Sequence, residues 1–362
     1  MSRRAFLSSA AASAAGAAAM VAPSIVRAQS QPTVEWKLAS SFPRSLDTIY
    51  GAAELLAKRV ASMTQGKFKI TVSSAGEVVK PLEVLEAVQE GKIQAGHTAL
   101  YYWFAKDPTY AIPAAIPFGP NARQTSAWWN YAGGRNIFND FTRKQGFVAH
   151  LAGNTGAQMG GWFKKDINSV DDLKGLKMRL GGFAGLVMKR LGLEPIQLPA
   201  GEIAEALAAG KIDAAEWIGP YDDEKLGLNK SAKNYYYPGW WEGGLGVHSI
   251  VNSKDWDALP LEYRTAFEVA CAEANMWMLS KYDALNPAAL KRLVAGGAQL
   301  KPFPNSVMDA CYKASQETFA EISAKNENFA RIFNHQQNFL KDSWQWNKVA
   351  ESAYDTYMIQ HK

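Results

Sequence analysis

The sequence predicts an α/β fold of two lobes, with a ligand cleft between the lobes and a long helix that spans both. Strand patterns alternate with helical patterns from residue 34 onward, which is typical of sheets built from β-α-β units. One local design also occurs twice, at residues 81–95 and 201–214, where an amphipathic helix ends at a glycine and turns through Lys-Ile into a strand. Both copies then run into aromatic residues, as two facing lobes of a clamp would require.

The apolar periodicity predicts the elements in order. The first predicted elements are a strand (34–38), a helix (46–63), a strand (67–72), a helix (82–89) and a strand (93–95). This order favours a doubly wound parallel sheet. The later predicted elements are a return strand (246–252), a long helix (260–293), a strand (299–303) and a helical tail (307–357).

The chain divides into four predicted segments. These are an export signal over residues 1–28, a first lobe over 29–150, a second lobe over 151–250, and the return strand with C-terminal helices over 251–362. The signal is indicated by the twin-arginine run S-R-R-A-F-L at residues 2–7, an Ala-rich region and a small-residue cleavage pattern at 26–28. A membrane anchor is disfavoured because the apolar run is short and contains Pro23. We therefore expect the protein in the periplasm, exported by the twin-arginine pathway.

The composition excludes some classes of partner. A formal net charge of +5 is mild, and no basic stripe interleaves with aromatic residues, so nucleic acid is not expected to bind. Cys271 and Cys311 lie within helical patterns, where buried thiols are the usual interpretation. The sequence leaves open whether they are bridged.

The sequence carries no recognisable catalytic motif. The five histidines lack H-E-x-x-H spacing, and neither a G-x-S-x-G elbow nor a phosphate-binding G-x-x-x-x-G-K-[ST] run occurs. A binding protein is therefore the favoured class. A periplasmic enzyme acting on a small organic acid, or the partner of a sensor, stays open as the alternative.

Arg179 is the leading candidate for ligand binding. Residues 169–173 predict a short capped turn, and residues 176–180 predict a buried strand that carries Arg179 at its carboxyl end. Ligands of open α/β sheets bind beyond the carboxyl ends of the strands, and a guanidinium matches both oxygens of a carboxylate. The alternative is a surface arginine that only ends a strand.

Two runs carry a resemblance to a known family. D-D-L-K-G-L-K-M-R at residues 171–179 is followed by G-K-I-D-A-A-E-W at 210–217, in an order and spacing that resembles the extracytoplasmic solute receptors of TRAP transporters, the DctP-type family. Gln158 stands where dicarboxylate receptors usually carry an arginine. With Glu216-Trp217 and P-G-W-W-E at residues 238–242, this is similar to the branch that binds 2-oxo or 2-hydroxy monocarboxylates with a metal cation.

The resemblance implies a receptor that delivers its ligand to membrane permease subunits and performs no catalysis. In some relatives a C-terminal helix packs on a second subunit, so the apolar tail is compatible with a homodimer. Packing on its own lobe is the simpler account.

Carboxylates and amides near the predicted cleft suit a hard cation, Na⁺ or Ca²⁺, which takes several oxygen ligands. The predicted ligands are the Glu216 and Glu242 carboxylates, the Gln158 amide oxygen and the Trp217 carbonyl. Alternatively, Glu216 pairs with Arg179 or Lys211 and no metal binds.

The charge balance favours a monoacid such as pyruvate, another 2-oxo acid or lactate. Two arginines facing one carboxylate would leave a buried charge uncompensated, and Gln158 avoids this. Arg179 would hold the carboxylate, with Tyr101, Tyr102, Asn154 and Trp217 around the acyl chain. The length of the acyl chain and the identity of the cation stay open.

Overall fold

The computed structural model describes residues 31–361, so the export signal predicted over residues 1–28 lies outside the described residues. From Val34 onward the chain forms one compact unit. In this described part, no helix combines the length and the apolar character needed to cross a membrane.

Strands and helices alternate along the first two thirds of the chain, and helices dominate the last third. The strands are β1 (Val34–Ser40), β2 (Phe68–Ser73), β3 (Ala95–Thr98), β4 (Phe147–Asn154), β5 (Gly161–Phe163), β6 (Lys177–Arg179), β7 (Glu194–Ile196), β8 (Ala214–Ala215), β9 (Asn234–Tyr237), β10 (Gly246–Asn252) and β11 (Gln299–Pro302). The helices are α1 (Ile49–Met63), α2 (Val84–Gln89), α3 (Ala122–Asn130), α4 (Gly134–Thr142), α5 (Gly182–Arg190), α6 (Ala200–Ala208), α7 (Pro220–Leu226), α8 (Ser253–Ala258), α9 (Leu261–Ala295), α10 (Asn305–Lys325), α11 (Glu327–Asn347) and α12 (Ala353–Gln360).

The first sheet has the strand order β2-β1-β3-β10-β4. Strand β1 pairs in parallel with β2 and β3, as predicted, whereas β10 is antiparallel to β3 and β4. The predicted parallel pairing is therefore confirmed for β1, β2 and β3, whereas the prediction of a parallel sheet is wrong where β10 joins it. Strand β10 arrives from the second lobe at the carboxyl ends of its neighbours, since Gly246 lies opposite Asn154, and so it runs against them.

The second sheet has the order β11-β9-β5-β8-β6-β7. It is also mixed, because one of its strands enters from the other lobe. Strand β5 comes from the first lobe and is antiparallel to β8 and β9, while β6 is parallel to β7 and β8. The chain therefore passes from one sheet to the other over residues 155–160 and back over residues 238–245. The predicted lobe boundaries at 150 and 250 fall inside β4 and β10, and the exact division into lobes stays a prediction.

The repeated design predicted from the sequence is confirmed as α2–β3 and α6–β8. In each copy the glycine that ends the helix, Gly91 or Gly210, has a positive φ of 72° or 70°. This left-handed conformation is cheap only for glycine, which explains the shared Gly-Lys-Ile turn.

The long helix is confirmed as α9, which has 35 residues and contacts α1 and β4 on one lobe and α7 on the other. The tail is divided among α10, α11 and α12, with α10 packed on α5 and α11 packed on α3 and α4. Cys271 and Cys311 are both buried and free.

Candidate ligand-binding site

Arg179 ends β6, whose backbone is paired with β7 on one side and β8 on the other. Its side chain is completely buried. Nη1 donates to the Glu216 backbone oxygen at 2.5 Å and to Glu216 Oε2 at 2.8 Å, and Nε donates to the Leu198 carbonyl at 3.3 Å. The Trp217 ring lies 4.9 Å from Arg179 Cζ. Two sheet partners and these contacts fix the guanidinium in one orientation.

Glu216 follows β8 and is also buried. Its Oε2 accepts the Arg179 hydrogen bond, while Oε1 has no hydrogen-bond partner among the described residues. Burial and the nearby Glu242 carboxyl raise the Glu216 pKa well above its ordinary value, against the opposing effect of Arg179. The predicted alternative of an Arg179–Glu216 pair is therefore present as a contact. Lys211 is not involved, since its Nζ lies 4.0 Å from Glu205 on the surface.

Glu242 lies in the loop that connects β9 to β10. The loop is held by the stacking of Trp240 on Phe118, with ring centroids 5.1 Å apart, and by a hydrogen bond from the Phe118 N–H to the Trp240 carbonyl at 2.8 Å. Burial raises the Glu242 pKa to about 7, while Arg179 and the close Tyr101 and Gln158 side chains act to lower it.

Two further predicted site residues, Asn154 and Gln158, carry amides. Asn154 ends β4, and its Oδ1 accepts the Gly156 N–H at 2.9 Å. Gln158 donates from Nε2 to Thr155 Oγ1 at 3.0 Å. Each of these bonds uses one of the two polar atoms of its amide. The other two atoms, Asn154 Nδ2 and Gln158 Oε1, have no hydrogen-bond partner within residues 31–361.

The remaining predicted contacts come from the turn Leu100–Trp103, which follows β3. Tyr101 and Tyr102 are buried, with their rings edge to face at 5.1 Å. Burial and the charge of Glu242 raise the Tyr101 pKa well above its ordinary value, so its hydroxyl stays protonated. The Tyr102 carbonyl accepts a hydrogen bond from Gln197 of the second lobe at 3.1 Å.

Five buried polar atoms of the predicted residues lack a partner in the described part of the chain. Three are acceptors and two are donors: Gln158 Oε1, Glu216 Oε1 and Glu242 Oε2, and Arg179 Nη2 and Asn154 Nδ2. Buried polar atoms are usually hydrogen-bonded in folded proteins. Other unpartnered buried atoms occur in the described residues, such as Thr48 Oγ1 and Gln336 Oε1, but Glu242 is also close enough to Arg179, Glu216 and Gln158 to interact with them electrostatically. This combination makes the set a candidate for ligand binding.

The unpartnered oxygen atoms of this set fit a hard cation better than a transition metal. Among the described residues, no group of three or more His, Cys, Asp or Glu side chains could hold a metal ion. A cation here would depend on two carboxylates completed by amide and carbonyl oxygens, which are the ligands of Na⁺ and Ca²⁺.

Two buried acids, Asp222 and Asp223, were not identified from the sequence. Asp222 Oδ2 accepts from Tyr282 Oη at 2.8 Å and Trp217 Nε1 at 3.4 Å, and so ties Trp217 to α9. Asp223 Oδ2 accepts from Trp162 Nε1 at 2.9 Å and from Tyr235 Oη at 2.7 Å. The only signal was the D-D pair after Gly219-Pro220, which is also typical of an ordinary helix start.

Comparison with known proteins identifies the family. A model for bacterial extracellular solute-binding protein, family 7 (DctP), matches residues 39–326. This chain belongs to that family. Its members are solute receptors for transport, and an extracytoplasmic location fits them.

Three relatives resemble the chain over most of its length. It is 50% identical to a monocarboxylate 2-oxoacid-binding periplasmic protein of Nostoc sp. strain PCC 7120, over 90% of this chain and 89% of that protein. A TRAP transporter solute-binding protein of Bordetella bronchiseptica RB50, a mixed-occupancy dimer with copurified calcium and picolinate, is 48% identical with a TM-score of 0.90, over 91% of this chain and 98% of that one. A TRAP periplasmic solute-binding protein of Pseudoalteromonas atlantica with bound sodium and pyruvate is 36% identical with a TM-score of 0.86, over 89% and 98% of the two chains.

Proposed function

We propose that this protein is a TRAP transporter receptor that captures a 2-oxo or 2-hydroxy monocarboxylate together with a Na⁺ or Ca²⁺ ion. The observation that carries the proposal is the set of five unpartnered buried atoms, with three oxygens and two nitrogens. A carboxylate needs donors and a cation needs oxygens, so the set offers both.

The two nitrogens are assigned to the organic acid. Arg179 Nη2 and Asn154 Nδ2 would donate to its carboxylate. Tyr101, Tyr102 and Trp217, which are all buried, would surround the acyl chain. Arg179 Nη1 is already bonded to Glu216. The guanidinium would therefore bind the carboxylate through Nη2 and not through two nitrogens at once.

The oxygens are assigned to the cation. Gln158 Oε1, Glu216 Oε1, Glu242 Oε2 and the Trp217 carbonyl would hold it, and it would supply the positive charge that the site lacks. A bound cation would keep Glu216 and Glu242 ionised in spite of their raised pKa values, so that they contribute two negative charges against the one positive charge of Arg179. With a bound monocarboxylate, the net charge of these groups is −2. A Ca²⁺ ion would neutralise this charge, and a Na⁺ ion would reduce it to −1. A dicarboxylate would add one more buried negative charge.

A receptor of this kind also has an expected location and expected protein partners. The receptor would be exported through the twin-arginine run at residues 2–7 and deliver its ligand to the membrane permease subunits in the periplasm. Trp346 and Ile359 on the C-terminal helices are 67% and 77% exposed, which supports a second subunit packing there.

Calorimetric titration of chelator-treated protein tests the proposal. Pyruvate, 2-oxobutyrate, lactate and succinate are each titrated in calcium, in sodium, and in choline without either cation. We expect binding of monoacids that requires one of the two cations, and no binding of succinate. Tight binding of succinate, or binding of pyruvate that is independent of the cation, would contradict the proposal. Recovery of unchanged pyruvate after incubation separates the receptor from an enzyme, since turnover would favour the alternative.

A further inference from the structure

The first lobe meets the second at a pair of glycines directly after the arginine strand. The turn Leu100–Trp103 packs against the start of α5. A Cβ atom added to Gly181 would lie 2.6 Å from Tyr101 Cε2, and one added to Gly182 would lie 2.9 Å from Tyr101 Cβ. Both distances are shorter than carbon atoms tolerate, so the tyrosine ring occupies the space that any other residue would fill.

The two glycines differ in why they are needed. Gly182 has φ +56°, a left-handed conformation that favours glycine whatever surrounds it. Gly181 has φ −99° and ψ 158°, an ordinary extended conformation open to any residue. The requirement for glycine at position 181 therefore comes from the Tyr101 ring and not from the backbone.

Tyr101 connects this contact to the binding residues. Its ring rests on Gly181 and Gly182, two and three residues after Arg179, and its side chain is close enough to Glu242 to lower the pKa of that carboxyl. Neighbouring contacts continue the same interface between the lobes, with Phe104 edge-on to Phe183 at 4.7 Å and Gln197 bonded to the Tyr102 carbonyl.

We propose that Gly181 is a positioning residue whose missing side chain forms a seat for Tyr101, and that the lobes close fully over the ligand only when this ring is seated. The inference rests on the proposed function, because it assumes that ligand binding closes the cleft. A side chain at position 181 would hold Tyr101 out of the seat and the lobes apart, and the site would lose affinity even though Arg179 and both glutamates are intact.

The test measures closure and affinity in the same variants. Spin labels on Glu83→Cys in the first lobe and Glu205→Cys in the second report the distance between lobes, because the native Cys271 and Cys311 are buried. Pyruvate with calcium chloride is the probe. We expect a shorter distance with the probe in the unsubstituted chain, little shortening in Gly181→Ala, and at least tenfold weaker pyruvate binding in that variant.

Three further variants isolate the cause. Gly201→Ala is the matched control, because nothing lies within 4 Å of its added Cβ, and it should close normally. Gly181→Ser supplies a preferred N-cap for α5 but still carries a Cβ, so it should behave like Gly181→Ala. In a Tyr101→Leu background, the Gly181→Ala change should add little further loss of closure or affinity.

The outcomes separate the inference from the function on which it rests. If the unsubstituted chain neither binds the probe nor closes, the proposed function is refuted and the seat with it. If that chain closes and Gly181→Ala closes equally, only the seat is refuted. Normal closure in Gly181→Ser, or a full additional loss from Gly181→Ala in the Tyr101→Leu background, would also refute the seat, because helix capping or a local defect would then explain the effect.

Discussion

The two sheets bury polar side chains in opposite ways. The first sheet carries three buried histidines on neighbouring strands: His97 in β3, His150 in β4 and His248 in β10. Burial lowers the pKa of each to about 3, so all three are uncharged at neutral pH. Around the strand ends of the second sheet, the buried polar groups are instead ionisable acids and one arginine.

The histidines are packed as aromatic rings. His150 lies 4.4 Å from the Trp256 ring, and His248 lies 5.0 Å from the Trp129 ring. His97 Nδ1 also lies 3.3 Å from Ser40 Oγ, and His248 Nδ1 lies 3.1 Å from the Gly246 carbonyl oxygen. Three of the acids are instead bonded to donors on other side chains: Glu216 to Arg179, Asp222 to Tyr282 and Asp223 to Tyr235. The first sheet therefore buries uncharged rings in its core, whereas the strand ends of the second sheet carry the buried charges that would recognise an ionic ligand.

Removing the arginine should disturb the charged region most strongly. In Arg179→Ala, Glu216 loses its partner at 2.8 Å inside a buried site, which typically costs about 3–5 kcal/mol of unfolding free energy. Chemical denaturation measures this loss. Calorimetry with pyruvate and calcium should show no ligand-induced thermal stabilisation.

The matched control is Arg190→Ala, which removes the partly exposed ion pair with Glu321. Exposed pairs contribute about 1 kcal/mol or less, so stability and ligand stabilisation should change little. Ligand stabilisation that survives in Arg179→Ala would remove Arg179 from the site.

Acidification should separate the two regions by the sign of their effect. The pKa of His150 is about 3 when folded and 6.5 ordinarily, chiefly because of burial and also because of the positive charges of Arg135 and Arg143. Below pH 6.5 the unfolded chain takes up a proton that the folded chain refuses, so the unfolding free energy falls by roughly 1.4 kcal/mol per pH unit for this residue. His150→Phe should therefore lose stability less steeply than the parent between pH 6 and 4, while His361→Gln, at an exposed position, should follow the parent.

Asp223 should act in the opposite direction. Burial raises its pKa to about 6, against an ordinary value of 3.8, so the folded chain binds the proton first as the pH falls and gains stability over this window. Asp223→Asn lacks this gain, so its unfolding free energy should fall more steeply than that of the parent as the pH is lowered. Equal slopes for the parent, His150→Phe and Asp223→Asn would contradict the contrast between the regions.

The smallest expected effect comes from a single cation ligand. Glu242→Gln keeps the shape of the side chain but removes one negative charge, so calcium-dependent pyruvate binding should weaken about tenfold or more, roughly 1.4 kcal/mol. Titration of calcium at fixed pyruvate measures the change, with Glu205→Gln on the surface as the control. An unchanged calcium requirement would exclude Glu242 as a ligand.

Much of the fold was predictable because local patterns decide it. The repeated helix-Gly-Lys-Ile design, the capped turn before β6 and the long helix α9 all follow from periodicity and capping chemistry. The antiparallel placement of β5 and β10 was not predictable, since it depends on the end of the neighbouring strands at which the chain enters the sheet after crossing between lobes.

The candidate site shows the same limit. Arg179, Glu216 and Glu242 could be singled out because their sequence neighbours mark strand ends and a rigid loop. The sequence offers Arg179 only as one of two alternative partners of Glu216, the other being Lys211. It does not predict the support of Trp217 by Asp222 and Tyr282, which lie 5 and 65 residues further along the chain. Such contacts are set by tertiary packing, which leaves no periodic trace.

The route of the backbone constrains how the protein can be dissected. Strand β10 completes the first sheet after the second has been nearly finished, and β11 then adds the outer strand of the second sheet. Each half is thus assembled from interleaved, non-contiguous stretches, and no single cut yields an intact half. Fragments ending near residue 150 would lack the strand between β3 and β4, so studies of either half in isolation require a rearranged gene rather than a truncated one.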